Sequence, residues 1–563
     1  MDDHVPWPEP QNVESEDTVA LSPAAVSASP DTSVAEVWSF YAIDWANSVY
    51  ATICIGGFLP LLIQSSAQTA AGFPHACPNI LNATATAAAE WPTGVSSRPT
   101  ALFRIAGAGP RACDAADAPA CYHGLCAGLP ALVLDCRDAA GIYTHTLRTP
   151  SNPPWDPTSF TTFCITASVV VQAVVFLLGG ALADRGGARK GVLLAASWLG
   201  AAACVTALFV TPATWQLGLP VAVVSNACFG LSGVMMNAYL PLLAGANPAV
   251  RGFPENSPER AAAAEARATD MSAKGFAAGY CAGVLGIILC VPLILSLPEI
   301  AGYQAAHVVA GVWWAAWMVP VARYLHARPG PPLPPGTCAV AAASITGLWE
   351  TIAALRRLPT TGAFLLLWGV FSDAVFVVGL LGGLFANSRV DWGCTPKAQG
   401  VLALFAVTPL AAAVGNLGWL RLSQWAKISP ERVLAYTLLA IGIVVPAVGL
   451  SGALTTGPAL LGVAFWWGLN VGAMQAFSRS VFSQLVPLGH EAAFFSLFEI
   501  TNRGSSWLGP LILTLSAEIT GDFRWGFVHV LLGTILGAAG VLLLDIKKGQ
   551  AAASAFRLTN LTT

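Results

Sequence analysis

The chain has 563 residues, of which 55% are hydrophobic and only 10% charged, with a mean hydropathy of +0.63. Soluble domains carry roughly one quarter charged residues, so this composition excludes a soluble globular protein and defines a polytopic membrane protein in contact with the lipid bilayer. The net charge of −3 gives no basis for a nucleic-acid or strongly acidic partner, and the information lies in where the charges fall.

Residues 1–36 hold eight acids, Asp2, Asp3, Glu9, Glu14, Glu16, Asp17, Asp31 and Glu36, and neither Lys nor Arg. This reads as a disordered acidic tail. It has no basic start followed by a short apolar core, so the first span is expected to act as the targeting element. That span, 37–63, is long enough to cross a bilayer yet contains Asp44 and Asn47. A carboxylate at mid-helix costs roughly 2.5 to 3.5 kcal/mol on insertion scales, which asks for a function or a partner. Asp44, Asn47, Ser48 and Ala51 follow i, i+3, i+4, i+7 spacing and form one polar seam.

The segment 64–160 is too long and polar for a turn. Its Cys77, Cys113, Cys121, Cys126 and Cys136, with Cys394 from a later outer loop, and the acceptor Asn82 before Ala83 and Thr84 predict an outward, oxidised, glycosylated loop of open disulfide connectivity. The cysteines lack metal-ligand spacing, so no metal is expected.

Further apolar runs fall at 161–183, 191–211, 218–245, 272–296, 301–322, 361–386, 399–420, 431–451, 457–482, 494–517 and 525–545. The fold expected is an all-α membrane protein of twelve transmembrane helices. Its parts are an N-terminal half over 37–322, a cytosolic linker over 323–360, a C-terminal half over 361–546 and a cytosolic tail over 547–563. With both termini cytosolic, the inner segments hold 17 Lys and Arg against three in the short outer loops, Arg389, Lys397 and Arg524, which sets the orientation.

Six charges lie within or at the edge of spans: Asp44, Lys274, Asp373, Arg479, Glu499 and Arg503. Counted at about 1.5 Å per residue from the cytosolic start of each span, Asp373 is about 18 Å deep, Arg503 about 14 Å, Asp44 about 10 Å and Glu499 about 8 Å. Lys274 and Arg479 fall near the cytosolic face and are read as anchors or gates. Glu499 and Arg503, four apart, share one helix face, where an ion pair and a substrate site are both open readings. Asp373 and Arg503 are the opposite charges at the most similar depth near the membrane centre, with Asn47 near Asp373, and are the pair expected to receive a solute, Arg503 its anionic group and Asp373 its cationic group. Glu499 or Asp44 is a candidate for taking a proton. No phosphate-binding loop, nucleophile elbow or metal-binding helix occurs, so neither catalysis nor a cofactor is expected.

Two resemblances sharpen this. GGALADRGGARK, with Gly180, Leu182, Asp184, Arg185, Gly187, Arg189 and Lys190, resembles the loop signature of the major facilitator superfamily. Asp184 there is expected to pair with a base or meet a helix N-terminus across the bundle, and Asp184, Arg185 and Arg189 to act in gating. A shift of 326 residues lays Gly56 and Gly57 on Gly382 and Gly383, and Asn47 on Asp373, in line with two related six-helix halves. The superfamily resemblance implies a cavity lined by helices one, four, seven and ten, to which Asn237, Tyr239, Asn470 and Gln475 would contribute.

The narrower resemblance runs through DWANSVYAT (Asp44 to Thr52), MNAYLPLL (Met236 to Leu243), SAKGFAAGY (Ser272 to Tyr280), GVWW (Gly311 to Trp314), FSDAV (Phe371 to Val375), QAFSRSVFSQLVP (Gln475 to Pro487) and EAAFFSLFEITNRGSSWLGP (Glu491 to Pro510). These segments resemble, in order, the vacuole effluxer family of autophagy-related amino-acid exporters. The resemblance implies a secondary transporter that moves small neutral amino acids out of the vacuole or lysosome, with protons as a candidate coupling ion. The long cysteine-bearing loop, the acidic tail and Arg503 in place of an expected lysine depart from the family pattern. A carrier of another small organic solute, and a membrane receptor or scaffold, are the alternative readings.

Overall fold

The computed structural model describes residues 30–70, 102–103, 111–112, 157–255, 257–328, 337–393, 397–504 and 508–560. The tail over 1–29, Asn82, and Cys77, Cys113, Cys121, Cys126, Cys136 and Cys394 lie outside the described residues. Among the described residues eleven helices are long and apolar enough to cross a membrane. The span expected at 494–517 is covered by two helices, Glu491–Gly504 and Leu508–Thr520, on either side of 505–507.

In chain order the helices are α1 (Val34–Ala70), α2 (Pro157–Ala183), α3 (Ala188–Thr206), α4 (Gly218–Gly245), α5 (Pro258–Ser296), α6 (Glu299–Tyr324), α7 (Thr337–Ala354) and α8 (Pro359–Ser388). They continue as α9 (Lys397–Ala426), α10 (Pro430–Ser451), α11 (Gly457–Gln484), α12 (Glu491–Gly504), α13 (Leu508–Thr520), α14 (Gly526–Leu543) and α15 (Ile546–Asn560). A two-residue antiparallel ladder, Leu102–Phe103 with Arg111–Ala112, is the β-structure among the described residues apart from an isolated bridge.

α1 starts at Val34, earlier than the 37 expected, because Ser33 and Glu36 close a capping box on its first turn. Residues 30–36 are therefore structured: Glu36 is fully buried and accepts from Arg328 at 2.9 and 3.0 Å. The same contact, with Thr32 hydrogen-bonded to Ala246 and Leu243, gathers the start of α1, the end of α4 and the chain after α6 at one end of the bundle. That is the linker end. α1 finishes and α2 begins at the opposite, loop end. Two segments expected as linker and tail contain helices of their own, α7 and α15, and α5 begins well before the expected 272.

The middle of α1, Tyr50–Phe58, is π-helical, a widening found frequently at functional sites. The polar seam of α1 packs on a glycine stripe of α5. A Cβ at Gly275 would lie 2.3 Å from Asp44 Oδ2, at Gly279 2.4 Å from Ser48 Oγ, and at Gly283 2.6 Å from Thr52 Oγ1. Only glycine lets these backbones approach so closely, as expected of small-residue packing in membranes.

A candidate substrate cavity between the two sets of six spans

A cavity of about 570 Å³ lies between the first six spans and the last six. α1 supplies Asp44, Asn47, Ser48, Ala51, Thr52, Ile55, Leu59 and Pro60 to its wall, so the polar seam read from the sequence faces it. α2 and α4 add Gln172, Asn226, Phe229 and Asn237, α5 adds Phe276 and Tyr280, and α8, α11 and α12 add Trp368, Phe376, Gln475, Arg479, Phe498, Glu499 and Asn502.

The chemistry is concentrated on Arg479, whose side chain is 1% exposed. Its Nη2 lies 3.2 Å from Asp44 Oδ2 and donates to Ser272 O at 3.0 Å; Nε donates to Ser272 Oγ at 2.9 Å, and Nη1 to Asn237 Oδ1 at 3.3 Å. The guanidinium carbon sits 4.1 Å from the centre of the Phe276 ring. Asn237 passes the network on by donating Nδ2 to Glu499 Oε1 at 3.0 Å, and Tyr280 donates to Gln475 Oε1 at 2.9 Å. Helices α1, α4, α5, α11 and α12 thus meet at one charged floor. Among the described side chains on the wall the charges are Asp44, Glu499 and Arg479, two negative and one positive. Above the floor the wall is largely apolar and aromatic.

A second polar cluster closes the seam at the linker end. Asp184, in the turn between α2 and α3, pairs with Arg189 and accepts from the backbone amides of Ala492 and Ala493, both at 2.8 Å. It therefore caps the N-terminus of α12, where anions are favoured. Arg189 also contacts Glu491 at 3.0 Å, and a Cβ at Gly180 would collide with Ser496 Oγ, which explains a glycine where α2 crosses α12. Burial pushes the Asp184 carboxyl above the usual carboxylate range and Glu491 adds to the rise, while Arg189 and the two amides pull it back.

Of the residues singled out in the sequence, Asp44, Asn47, Asn237, Gln475 and Glu499 line the cavity. Tyr239 does not: two residues past Asn237 it is turned about 200° around the helix, and its hydroxyl donates to His326 O at 3.2 Å at the linker end. Asn470 faces α9 instead, accepting from Trp419 Nε1 and donating to Trp466 O. Asp373 points away from the cavity, with its oxygens on the Gly509 amide (3.2 Å) and His529 Nε2 (3.0 Å). The Arg503 side chain lies outside the described residues, and with it the expected Asp373 and Arg503 pair. Arg479, read as a gate near the surface, is the cation of the cavity floor. Lys274 remains on the surface, paired with Asp270 at 2.7 Å, and Arg185 is half-buried in the turn after α2. Trp313 and Trp314 are packing residues, stacked on Trp45 and Tyr50.

A helical bundle with a polar cavity between two sets of six spans is the arrangement of a secondary transporter. Its fold matches solved transporters of the major facilitator superfamily. The human organic anion transporter MFSD10 superposes with a TM-score of 0.55 at 14% identity, covering 90% of this chain and 99% of that one. The proton:xylose symporter XylE gives 0.53 at 10% identity, covering 93% and 99%. The chain belongs to the vacuole effluxer Atg22-like family, whose model matches residues 32–554. Among curated relatives, autophagy-related protein 22 of Coccidioides immitis is 27% identical over 572 residues, covering 92% of this chain and 88% of the relative. The Yarrowia lipolytica protein of the same name is 29% identical over 460 residues, covering 70% and 77%. Family and fold are those of integral membrane transporters, not of enzymes.

Proposed function

We propose that this protein exports neutral amino acids from the lumen of the vacuole or lysosome to the cytosol, driven by protons, and so recycles the products of autophagy. The observation that carries the reading is the buried Asp44 and Arg479 pair, contributed by opposite halves to the floor of a cavity of about 570 Å³. Cavities for small ligands span about 300 to 1,000 Å³, so a single amino acid fits with water to spare. A zwitterion carries its own pair of opposite charges. Its carboxylate takes the planar fork of Arg479 in place of Asp44, and its ammonium group takes Asp44 or Glu499. The apolar wall above, with Ile55, Phe229, Trp368 and Phe376, favours an uncharged side chain.

The linker end carries the excess of Lys and Arg and is assigned to the cytosol. Asp184, Arg189 and Glu491 close the seam there, while the cavity wall runs up to Leu59, Pro60 and Ile165 toward the loop end. This is the arrangement of a state that loads from the lumen. Asn82 is then luminal and glycosylated, and the loop cysteines are in an oxidising compartment.

Purified protein in proteoliposomes tests the reading. Free amino acids with neutral side chains are expected to exchange across the membrane, whereas N-acetylated or carboxamide analogues, each lacking one charge, compete at least about tenfold more weakly, one charge-assisted contact being worth roughly 1.5 to 3 kcal/mol. Equal competition by N-acetylated analogues would instead assign a carrier of organic anions served by Arg479 alone. Absence of any solute flux would favour a receptor or scaffold.

A further inference from the structure

We infer that Asp373 and His529 form a proton-binding site inside the last six spans, separate from the substrate cavity. The inference rests on the transport reading above, since a coupling ion has meaning only in a transporter. Asp373 lies mid-way along α8 and is 3% exposed. One of its oxygens meets Nε2 of His529 on α14 at 3.0 Å, and the other accepts from the Gly509 amide in the first turn of α13 at 3.2 Å. Gly509 is what allows this seat, because a Cβ there would lie 2.0 Å from Val377 Cγ2 and 3.1 and 3.2 Å from the two carboxylate oxygens.

Lys and Arg keep their charge at every physiological pH. Asp373 instead faces the one side chain whose ordinary pKa, about 6.5, falls between an acidic lumen and a near-neutral cytosol. Among the described side chains, the helices packed around it supply little else. α14 has no Asp, Glu, Lys or Arg, and the acid of α13, Glu518, is exposed and about two and a half turns away. On α12, Glu491 is held by Arg189 and Glu499 by Asn237, and Arg503 is the remaining charged residue. Arg479 of α11 is committed to Asp44, while Glu431 and Arg432 of α10 and Lys397 and Arg421 of α9 lie at the ends of their helices.

The charge arithmetic then follows. With one proton the pair is neutral overall, as carboxylate with imidazolium or as acid with imidazole; with none it carries −1. Net charge is costly in the membrane interior, so the neutral, singly protonated pair is the form that tolerates occlusion. The proton is loaded from the acidic side and released where the pair meets near-neutral water. Its link to the substrate is mechanical: α8 also carries Trp368 and Phe376, and α13 follows α12 with Glu499 and Asn502, all on the cavity wall.

The test uses the full-length protein in proteoliposomes, with two readouts. Amino-acid exchange at equal pH on both sides needs no net proton movement, whereas accumulation driven by an imposed pH gradient does. His529→Gln is expected to keep exchange within about twofold and to lose gradient-driven accumulation by about tenfold, the equivalent of a one-unit gradient on a one-proton equilibrium. Infrared difference spectra of detergent-purified protein between about pH 5 and pH 8 are expected to show a change in carboxyl or carboxylate bands, or in imidazole bands, that Asp373→Asn and His529→Gln respectively remove, and a difference spectrum that neither variant alters would overturn the proposal. This second measurement stands even if a variant transports poorly. Gradient-driven accumulation by His529→Gln equal to the parent, or loss of exchange to the same degree as accumulation, would overturn the proposal. A parent that exchanges amino acids without moving protons would also overturn it and leave the transport reading intact; a parent with no flux at all would remove that reading instead.

Discussion

Asp44 and Asp373 are both carboxylates buried mid-span in α1 and α8, the first helix of each set of six, yet they are served differently. Asp44 looks across the seam between the two sets, meets Arg479 of α11 and borders the cavity. Asp373 looks into its own set, meets His529 of α14 and the amide of Gly509, and has no part in the cavity wall. An ion pair across a seam must be broken or traded whenever the two sides move apart, so a ligand can substitute for either partner. A pair within one side moves as a body, and what can change there is its proton. On the proposed reading, the contrast separates substrate handling at one pair from energy input at the other.

Arg479→Gln breaks the first arm of this comparison and carries the largest expected effect. Removing one partner of a buried pair strands the other charge, at a cost of roughly 3 to 5 kcal/mol. Binding of free amino acids is expected to fall by more than about a hundredfold, measured by thermal-shift titration, and yield to fall with it. Adding Asp44→Asn should restore yield but not binding, because the stranded charge is gone while the anion site is still missing. Recovery of both by the double variant would make the pair structural.

The reach of the sequence differs between these two sites. The polar seam of α1 is visible because helical periodicity is local: Asp44, Asn47, Ser48 and Ala51 share a face whatever surrounds them. The turn at Asp184 is visible in the same way, through glycines and basic residues at fixed offsets. Depth is not local. Counting from the span end puts Arg479 near the surface, but α11 runs on to Gln484 and a long guanidinium side chain reaches inward from its backbone. That Arg479 finds Asp44, 435 residues away, is a fact of tertiary packing. Tyr239 and Asn470 could have been set aside from the sequence, since angles of about 200° and 140° separate them from Asn237 and Gln475 on their helices. His529 carries no fixed charge and so does not stand among the six charges within spans; a histidine inside an apolar run is its signal in the sequence.

Asp184→Asn probes the seam away from the cavity. Asparagine turns an NH2 donor toward an α12 amide or Arg189 where Asp184 presents an acceptor oxygen, a mismatch that a protonated Asp184 avoids because its hydroxyl oxygen still accepts. Charge-assisted hydrogen bonds are worth about 1.5 to 3 kcal/mol, so the open population at the linker end is expected to rise by about tenfold or more, with amino-acid affinity in the closed state nearly unchanged. Ser480→Cys reports on this, because Ser480 is fully buried against Thr269 at the seam. Its labelling by a thiol reagent added on the linker side should speed up in the Asp184→Asn background. Unchanged labelling would mean that the seam is held elsewhere, and a large loss of affinity would join Asp184 to the substrate site.

The smallest effect expected separates the two carboxylates of the seam by pH. Asp184 shares Arg189 with Glu491, two negative charges around one positive, and its carboxyl is held above its ordinary range by burial, with Glu491 adding to the shift. When the seam opens, Asp184 meets water and returns toward an ordinary value of about 3.9. The closed state thus binds the proton more tightly, and its contribution to closure is complete below the ordinary carboxylate pKa and is lost as pH rises through the raised value. Labelling of Ser480→Cys should therefore increase as the pH on the linker side is raised from acid toward neutral. Glu491→Gln keeps a hydrogen-bond acceptor for Arg189 but removes the neighbouring charge, so it lowers the Asp184 carboxyl and flattens this pH response. Asp373→Asn, inside the second set of spans, should leave the slope where it is.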